Sequence, residues 1–371
     1  MADIERRGFI TGGTWCVDNN RMVTHWPEED GHAQFVAEER HGGGSGCNFA
    51  LNMKRLDSAI PVETITIVGD DEGGRFLRAL AAAAGIGHGQ MHVTPETGTQ
   101  WTDAFVSQAT GRRTHIFKRG ASDVLTPDHF DFSSTTARYL HLGLPGVHKR
   151  MDAPWQDDAN GWVSVLKKAR AAGLKTNLEL ASIDPLELAD LVRPCLPHLD
   201  LIIVNDGEIG ALAGMETLPG GVTDVVACER AAHHVLKNGA MEIVVVHSPA
   251  VAIAVVRDGT VFTKPSAKIP RELIAGANGA GDAFAAGMFY GLHEGWSVDD
   301  ALTLAHATAA ASLRSLSTTG AVETWRKCLE LANQWAGGNP DGAYRLFTPG
   351  RTQSISNSRL AAVSAVLPEG S

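Results

Sequence analysis

An α/β fold is predicted for this chain: a mostly parallel sheet covered by helices, with a small β-sheet lid beside it. Two observations carry the prediction. Short β-branched, apolar runs alternate with helical patterns along most of the sequence, the rhythm of consecutive βαβ units. Two extended stretches, about residues 14–40 and 90–120, do not fit that rhythm and read as the lid.

In chain order, residues 8–12 form a plausible first strand, and the span 21–39, broken by Pro27 and Gly31, reads as a small extended excursion. The turn Gly42-Gly43-Gly44-Ser45-Gly46 precedes a helical pattern at 47–56. Thr64–Val68 is β-branched and apolar, as a strand covered on both faces is. Asp70-Asp71 can cap a helix through the Ala-rich 76–84, and Gly85 can end it. Ala104–Val106 and His115–Phe117 flank a turn at Thr110-Gly111, a hairpin pattern over 102–118. Strands at 138–142, 175–180, 201–204 and 243–247 then alternate with helices near 160–172, 184–193 and 224–237. The pattern fades after about residue 340. The chain is therefore expected to be a single domain over 1–371, with 340–371 as an irregular tail.

Composition narrows the function. A formal net charge of −10 argues against nucleic acid or an anionic membrane as the main partner. Five scattered cysteines, without a CxxC or a His/Cys cluster, indicate neither a disulfide framework nor a zinc site. The start, Met1–Arg7, has no apolar run of the secretory kind, and no stretch is apolar enough to span a bilayer, so a cytoplasmic protein is expected.

In open α/β sheets ligands bind beyond the carboxyl ends of strands, so residues just after strands are informative. Ala277-Asn278-Gly279-Ala280-Gly281-Asp282-Ala283-Phe284 is a tight Gly/Ala loop leading into an apolar helix. Such a loop leaves helix N-terminal N–H groups facing an anion. A carboxylate there would repel a phosphate, and makes sense if it takes the proton of an attacking hydroxyl. A plain Asp cap on a close-packed helix would look the same. Asn205-Asp206-Gly207-Glu208 follows the apolar run 201–204, with Asn205 and Glu208 on one face. Their oxygens suit Mg²⁺, and equally suit a reciprocal helix cap. Gly43, Gly44 and Asn48 could let backbone and an amide approach a polyol, and Asp18 could hold two neighbouring hydroxyls. Turn chemistry would explain these four residues too. There is no GxxxxGK[ST], GxSxG or HExxH.

Taken in order, these segments resemble the ribokinase-like (PfkB) family of carbohydrate kinases. The resemblance rests on Asp18, Gly43–Ala50, Val68-Gly69-Asp70-Asp71, Asn205–Glu208 and Gly279-Ala280-Gly281-Asp282, and spans about residues 8–330. It implies a three-layer α/β/α domain with a lid over a sugar, and it implies ATP and Mg²⁺ as cofactors. By position, Asp282 would be the catalytic base, and Asn278, Gly279, Ala280 and Gly281 the anion hole. Asp18, Gly43, Gly44 and Asn48 would contact a small polyhydroxylated substrate. Asn205, Glu208, His247 and His306 would serve the nucleotide, with Glu208 holding Mg²⁺ through water. Family members often dimerise through their lids, so a homodimer is an expectation here.

The function expected is ATP-dependent phosphorylation of a hydroxyl on a small sugar or sugar derivative. A nucleoside kinase is the nearest alternative, with Trp15 and Trp101 suited to stacking on a base and equally to the apolar face of a sugar. A non-catalytic sugar or nucleotide sensor is another, opposed by the retained Asp282. Three departures from the family stand out. Ala277-Asn278 replaces a common Asp-Thr, which bears on a monovalent-cation site. His247-Ser248-Pro249 replaces a common Thr-Leu-Gly near the nucleotide. Asn177-Leu178-Glu179 stands where Asp-x-Asn is common, and bears on the substrate or phosphate environment.

Overall fold

The computed structural model describes residues 6–110 and 113–337. The expected tail at 340–371 and Gly111 of the expected turn lie outside the described residues. A parallel five-stranded sheet is ordered β5 (Gly87–Thr94), β4 (Val62–Gly69), β1 (Phe9–Gly13), β8 (Tyr139–Gly143), β9 (Lys175–Leu178). Beside β9 a second sheet begins, ordered β10 (Leu201–Asn205), β11 (Ile243–His247), β12 (Val251–Val256), β13 (Val261–Pro265). The Asp200 N–H donates to the Thr176 carbonyl at 3.0 Å, and the Thr176 N–H to the Asp200 carboxylate at 2.9 Å, which ties the two sheets edge to edge. β10 and β11 are parallel, whereas β12 and β13 return antiparallel.

Strand residues alternate between two cores, as the two-residue period of a strand requires. Phe9, Leu201, Ile203 and Val245 face α1 (Ser45–Leu56), α2 (Glu72–Ala83), α8 (Ala280–His293), α9 (Val298–Ser312) and α10 (Trp325–Trp335). Ile10, Ile202, Val204 and Val244 face the other layer, which includes α4 (Gly161–Ala171), α5 (Pro185–Val192), α6 (Asp206–Ala213) and α7 (Val225–Lys237). The one-turn α3 (Lys149–Asp152) packs with them through Met151. This is the expected three-layer α/β/α arrangement. Among the described residues, no helix is long and apolar enough to cross a membrane.

The lid is a separate four-stranded sheet, ordered β3 (Phe35–Gly43), β2 (Cys16–Val23), β6 (Trp101–Ser107), β7 (Arg113–Lys118). Its second segment starts later than the sequence suggested. Residues 90–94 belong to β5 and pair in parallel with β4. Their mixed pattern, Gln90-Met91-His92-Val93-Thr94, resembles a half-exposed lid strand because β5 is the edge of its sheet and only partly covered. The expected helix at 47–56 begins earlier, at Ser45, because Gly44 takes φ 87° and starts the turn directly.

One aromatic cluster sets α1 and α8 on the sheet. The Phe289 ring lies edge-on to Phe9, Phe49 and Tyr139, with centroids at 6.0, 5.3 and 5.5 Å. All four side chains are buried, and edge-to-face pairs add to the apolar burial. Phe289→Ala is expected to destabilise the fold by about 3–5 kcal/mol, since these neighbours cannot all collapse into the cavity. The shift of the urea midpoint measures this, and a loss under about 1 kcal/mol would show that the cluster does not hold α8.

Candidate active site

α8 starts at a position only glycine fits easily. Gly279 has φ 75°, and a Cβ there would lie 2.7 Å from Thr318. No side chain caps this helix, so the N–H groups of its first turn are available to an anion, with the helix dipole behind them. Asn278, Gly279, Ala280 and Gly281 wrap that end, and Asp282 projects from the first turn.

Asp282 is held from α1. Asn48 Nδ2 donates to Asp282 Oδ2 at 2.9 Å, and the Thr318 hydroxyl donates to Asn48 Oδ1 at 2.7 Å. Each end of the Asn48 amide makes one bond, so Asn48 orients the carboxylate, and its second N–H still allows the substrate contact that the sequence suggested. Burial pushes the Asp282 carboxyl well above its usual range, and the charge of Glu179 and a hydrogen bond shared with it push further; Asn48 and His141 oppose them.

Glu179 follows β9, and burial raises it to about 6. Behind it stands His141 of β8, fully buried, with its ring stacked on Phe49 at 4.0 Å. Burial lowers His141 to about 3, so it is neutral at pH 7. Asn177 Nδ2 donates to His141 Nδ1 at 3.1 Å, which leaves the ring proton on Nε2, 2.5 Å from Glu179 Oε2. The two atoms are in direct contact, whereas Ser45 Oγ and Asn177 Oδ1 have no hydrogen-bond partner.

On the lid side, Asp18 of β2 is raised to about 6, chiefly by burial and also by the charge of Asp282, against a hydrogen bond donated by the Cys16 thiol. A Cβ on Gly43 would lie 2.0 Å from Asp18 Oδ2, so the glycine lets this carboxylate rest on the strand beside it. Gly44 makes the turn into α1. Trp101 pairs with Val17 while Thr102 pairs with Asp18, which puts Trp101 on the opposite lid face from Asp18. Trp15 is 1% exposed. Trp15 is therefore not exposed to stack on a ligand, and Trp101 lines a separate cavity on the other lid face.

Beyond Gly281 lies a cavity of about 90 Å³ lined by Asn177, Glu179, Asn205, Glu208 and His247. Asn205 and Glu208 form a reciprocal cap: the Asn205 N–H donates to Glu208 Oε2 and the Glu208 N–H to Asn205 Oδ1, both at 2.8 Å. The cap uses one carboxylate oxygen, and the carboxyl group still lines the cavity. Burial raises Glu208 to about 7; the Asn205 N–H opposes this, and the charges of Glu179 and Asp206 add to it. His247, lowered by burial to about 4, ends β11 beside Gly281. His306 is a core residue of α9: its Nε2–H donates to the Lys264 carbonyl at 3.1 Å and its ring meets Phe284 edge-on, away from the cavity wall. A ring amid the apolar face of a helix reads alike for either role.

Sequence reasoning missed Thr318, His141 and Ser45, and noted Glu179 only as a departure. A carboxylate directly after a strand was a usable signal. A histidine within a strand was not.

The chain matches the model of the pfkB family carbohydrate kinase over residues 13–325. It is 26% identical to an adenosine kinase of Saccharomyces cerevisiae, over 74% of this chain and 78% of that protein. It is 23% identical to a 5-dehydro-2-deoxygluconokinase of Shouchella clausii, over 85% of this chain and 92% of that protein. The fold superposes on a ribokinase of Arabidopsis thaliana complexed with ribose and ATP, with TM-score 0.70 and 18% identity, over 88% of this chain and 99% of the other.

The raised Glu208 carboxyl has a consequence for stability. Below its ordinary value of 4.5 it is protonated whether folded or unfolded; between 4.5 and about 7 the unfolded chain ionises first, so folding loses free energy as pH rises through that window. Glu208→Gln keeps an oxygen for the cap and removes this loss. The variant should match the parent below about pH 4.5 and exceed it by about 1–3 kcal/mol above pH 7. Urea unfolding across pH 4–8 reads the difference, and a gap independent of pH would contradict the assignment.

Proposed function

The chain belongs to the pfkB family of carbohydrate kinases, and on that premise we propose that it transfers the γ-phosphoryl group of ATP to a hydroxyl of a small sugar or sugar derivative. The observation that carries this reading is the Asp282 carboxylate, fixed by Asn48 in the first turn of an uncapped helix. A pure anion site has no use for it. A phosphoryl-transfer site needs a proton acceptor within reach of the attacking hydroxyl and fixed donors for the migrating charge.

Asp282 takes the proton of the substrate hydroxyl. Burial and the charge of Glu179 raise its affinity for protons, which makes it a stronger base whenever it is ionised. The N–H groups at the start of α8, from Asn278 to Gly281, stabilise charge on the transferred phosphoryl. Asp18 takes substrate hydroxyls from the lid side, with Gly43 and Gly44 allowing close backbone approach. His247 stands on the nucleotide side of Gly281.

Mg²⁺ is the metal this chemistry implies, and when bound it would neutralise charge on the phosphates. The residues fit it: Glu208 lines the cavity, and Asn177 Oδ1 is a buried oxygen on the same wall without a partner. Glu208 would hold the ion, through water.

A nucleoside acceptor is the second reading, favoured by the yeast adenosine kinase relative, whereas the gluconokinase relative favours a sugar derivative. A homodimer through the lid belongs to the same proposal, supported by Phe35, Ile116 and Phe117, each at least half exposed. Light scattering of the intact protein should give twice the chain mass; a monomer at all concentrations would remove the dimer.

The kinase reading is tested by ADP release over sugars, sugar acids, polyols and nucleosides. Asp282→Asn should lower kcat by about 10²–10⁴ on the substrate found while ATP binding survives. Near-parental turnover in that variant would sink the role of Asp282.

A further inference from the structure

β3 carries a histidine that the transfer as described does not use. His41 pairs with Asp18, residue to residue, in the antiparallel ladder of β2 and β3. Directly opposed residues share a face of the sheet, with Cβ atoms about 4.5–5.5 Å apart. The neighbours of His41 fix which face this is. Arg40 turns the other way: its guanidinium lies over the Phe76 ring of α2 at 5.0 Å and donates to Glu72 of the same helix. Gly42 also faces α2, since a Cβ there would lie 2.5 Å from Leu80. Gly43, two residues after His41, faces Asp18. His41 therefore stands beside Asp18, on the lid face that the proposal above gives to the substrate.

The two ring nitrogens of His41 are in different positions. Nε2 lies 2.9 Å from Oε2 of Glu39, two residues earlier on the same strand. A carboxylate accepts, so the neutral ring keeps its proton on Nε2 and presents Nδ1 as an acceptor. Among the described residues, Nδ1 has no hydrogen-bond partner. The side chain is 31% exposed, so a ligand under the lid can reach that nitrogen.

Resting on the kinase reading and on the role it gives Asp18, we infer that His41 is a specificity-determining residue: its Nδ1 accepts a hydrogen bond from a further hydroxyl of the substrate, beside those that Asp18 takes. Glu39 holds the ring in this tautomer and does not touch the substrate. The lid thus sets two acceptors side by side and reads a run of neighbouring hydroxyls. A substrate that lacks the hydroxyl facing Nδ1 loses that contact and is disfavoured.

The test uses the full chain with D-ribose, D-fructose, D-glucose and adenosine, and with the monodeoxy analogues of whichever binds best. Binding is read as ligand-induced thermal shift without nucleotide, and turnover as ADP release. His41→Ala should weaken binding and raise KM about five- to tenfold, with kcat changed less than about twofold. One monodeoxy analogue should lose about five- to tenfold against its parent sugar with the unaltered protein, and nothing further with His41→Ala, because hydroxyl and nitrogen form one contact. Two more substitutions separate this contact from a structural role. His41→Asn keeps an amide close to the place of Nδ1, and His41→Gln keeps one close to Nε2. The Asn variant should retain substrate affinity, and the Gln variant should behave as the Ala variant does. The reverse order would show that His41 only braces β3 through Glu39, and it overturns the inference. So do analogue losses that all persist in His41→Ala. If the Ala variant fails to fold, the Gln variant takes its place in that comparison. ADP release without these effects removes the role of His41 and leaves the kinase reading standing. The expected order in binding, without ADP release from any probe, keeps His41 as a sugar contact and removes the kinase reading. Neither binding nor turnover with any probe removes both.

Discussion

The contact between Asn48 and Asp282 joins two helix starts that are distant in sequence. α1 begins at the glycine turn under the lid, α8 at the Gly279 turn beside the cavity, and the 2.9 Å bond between their first turns fixes where both can lie. Thr318, beyond the end of α9, locks the far end of the same amide. The aromatic cluster of Phe9, Phe49, Tyr139 and Phe289 directly beneath is what lets two polar helix starts stand together: it supplies the apolar burial that the carboxylate itself opposes. A shift of α1 on the sheet would move the partner of Asp282 and the Gly43-Gly44 turn at once.

The site works against folding in a characteristic way. Asp18, Glu179, Glu208 and Asp282 are all pushed upward, first by burial in every case and then, for all but Glu179, by the charge of another carboxyl group. His141 and His247 are pushed downward by the same burial. Such a cluster of perturbed groups costs stability in the empty protein and is the ordinary mark of a functional site.

The lid shows how one missing atom sets a site. Asp18 can lie over the neighbouring strand only because Gly43 has no Cβ. Any larger residue would turn the carboxylate away from Asp282. The face that carries Asp18 and the face that carries Trp101 follow from strand pairing alone: Val17 pairs with Trp101, so the next pair, Asp18 and Thr102, points the other way. An aromatic residue near a candidate site in sequence is thus no guide to stacking until the register is known.

The sequence by itself determined the layers. Periods of two and of roughly 3.6 residues are local properties, and so are the Gly-rich turns, so the βαβ rhythm, most strands and the start of α8 could be read directly. Asp18, Asp282, Asn205 and Glu208 were legible for the same reason, each lying in or beside a recognisable element. The tertiary structure alone decided what those residues touch. Asn48 faces Asp282 across 234 positions and Thr318 across 270, His306 turns into the core, and residues 90–94 join the main sheet. Glu179, beside Asp282, and His141 behind it come from neighbouring strands whose pairing no local pattern encodes. Side-chain proximity, and with it burial and charge coupling, depends on strand order and helix packing, which long-range contacts fix only once the whole core has formed.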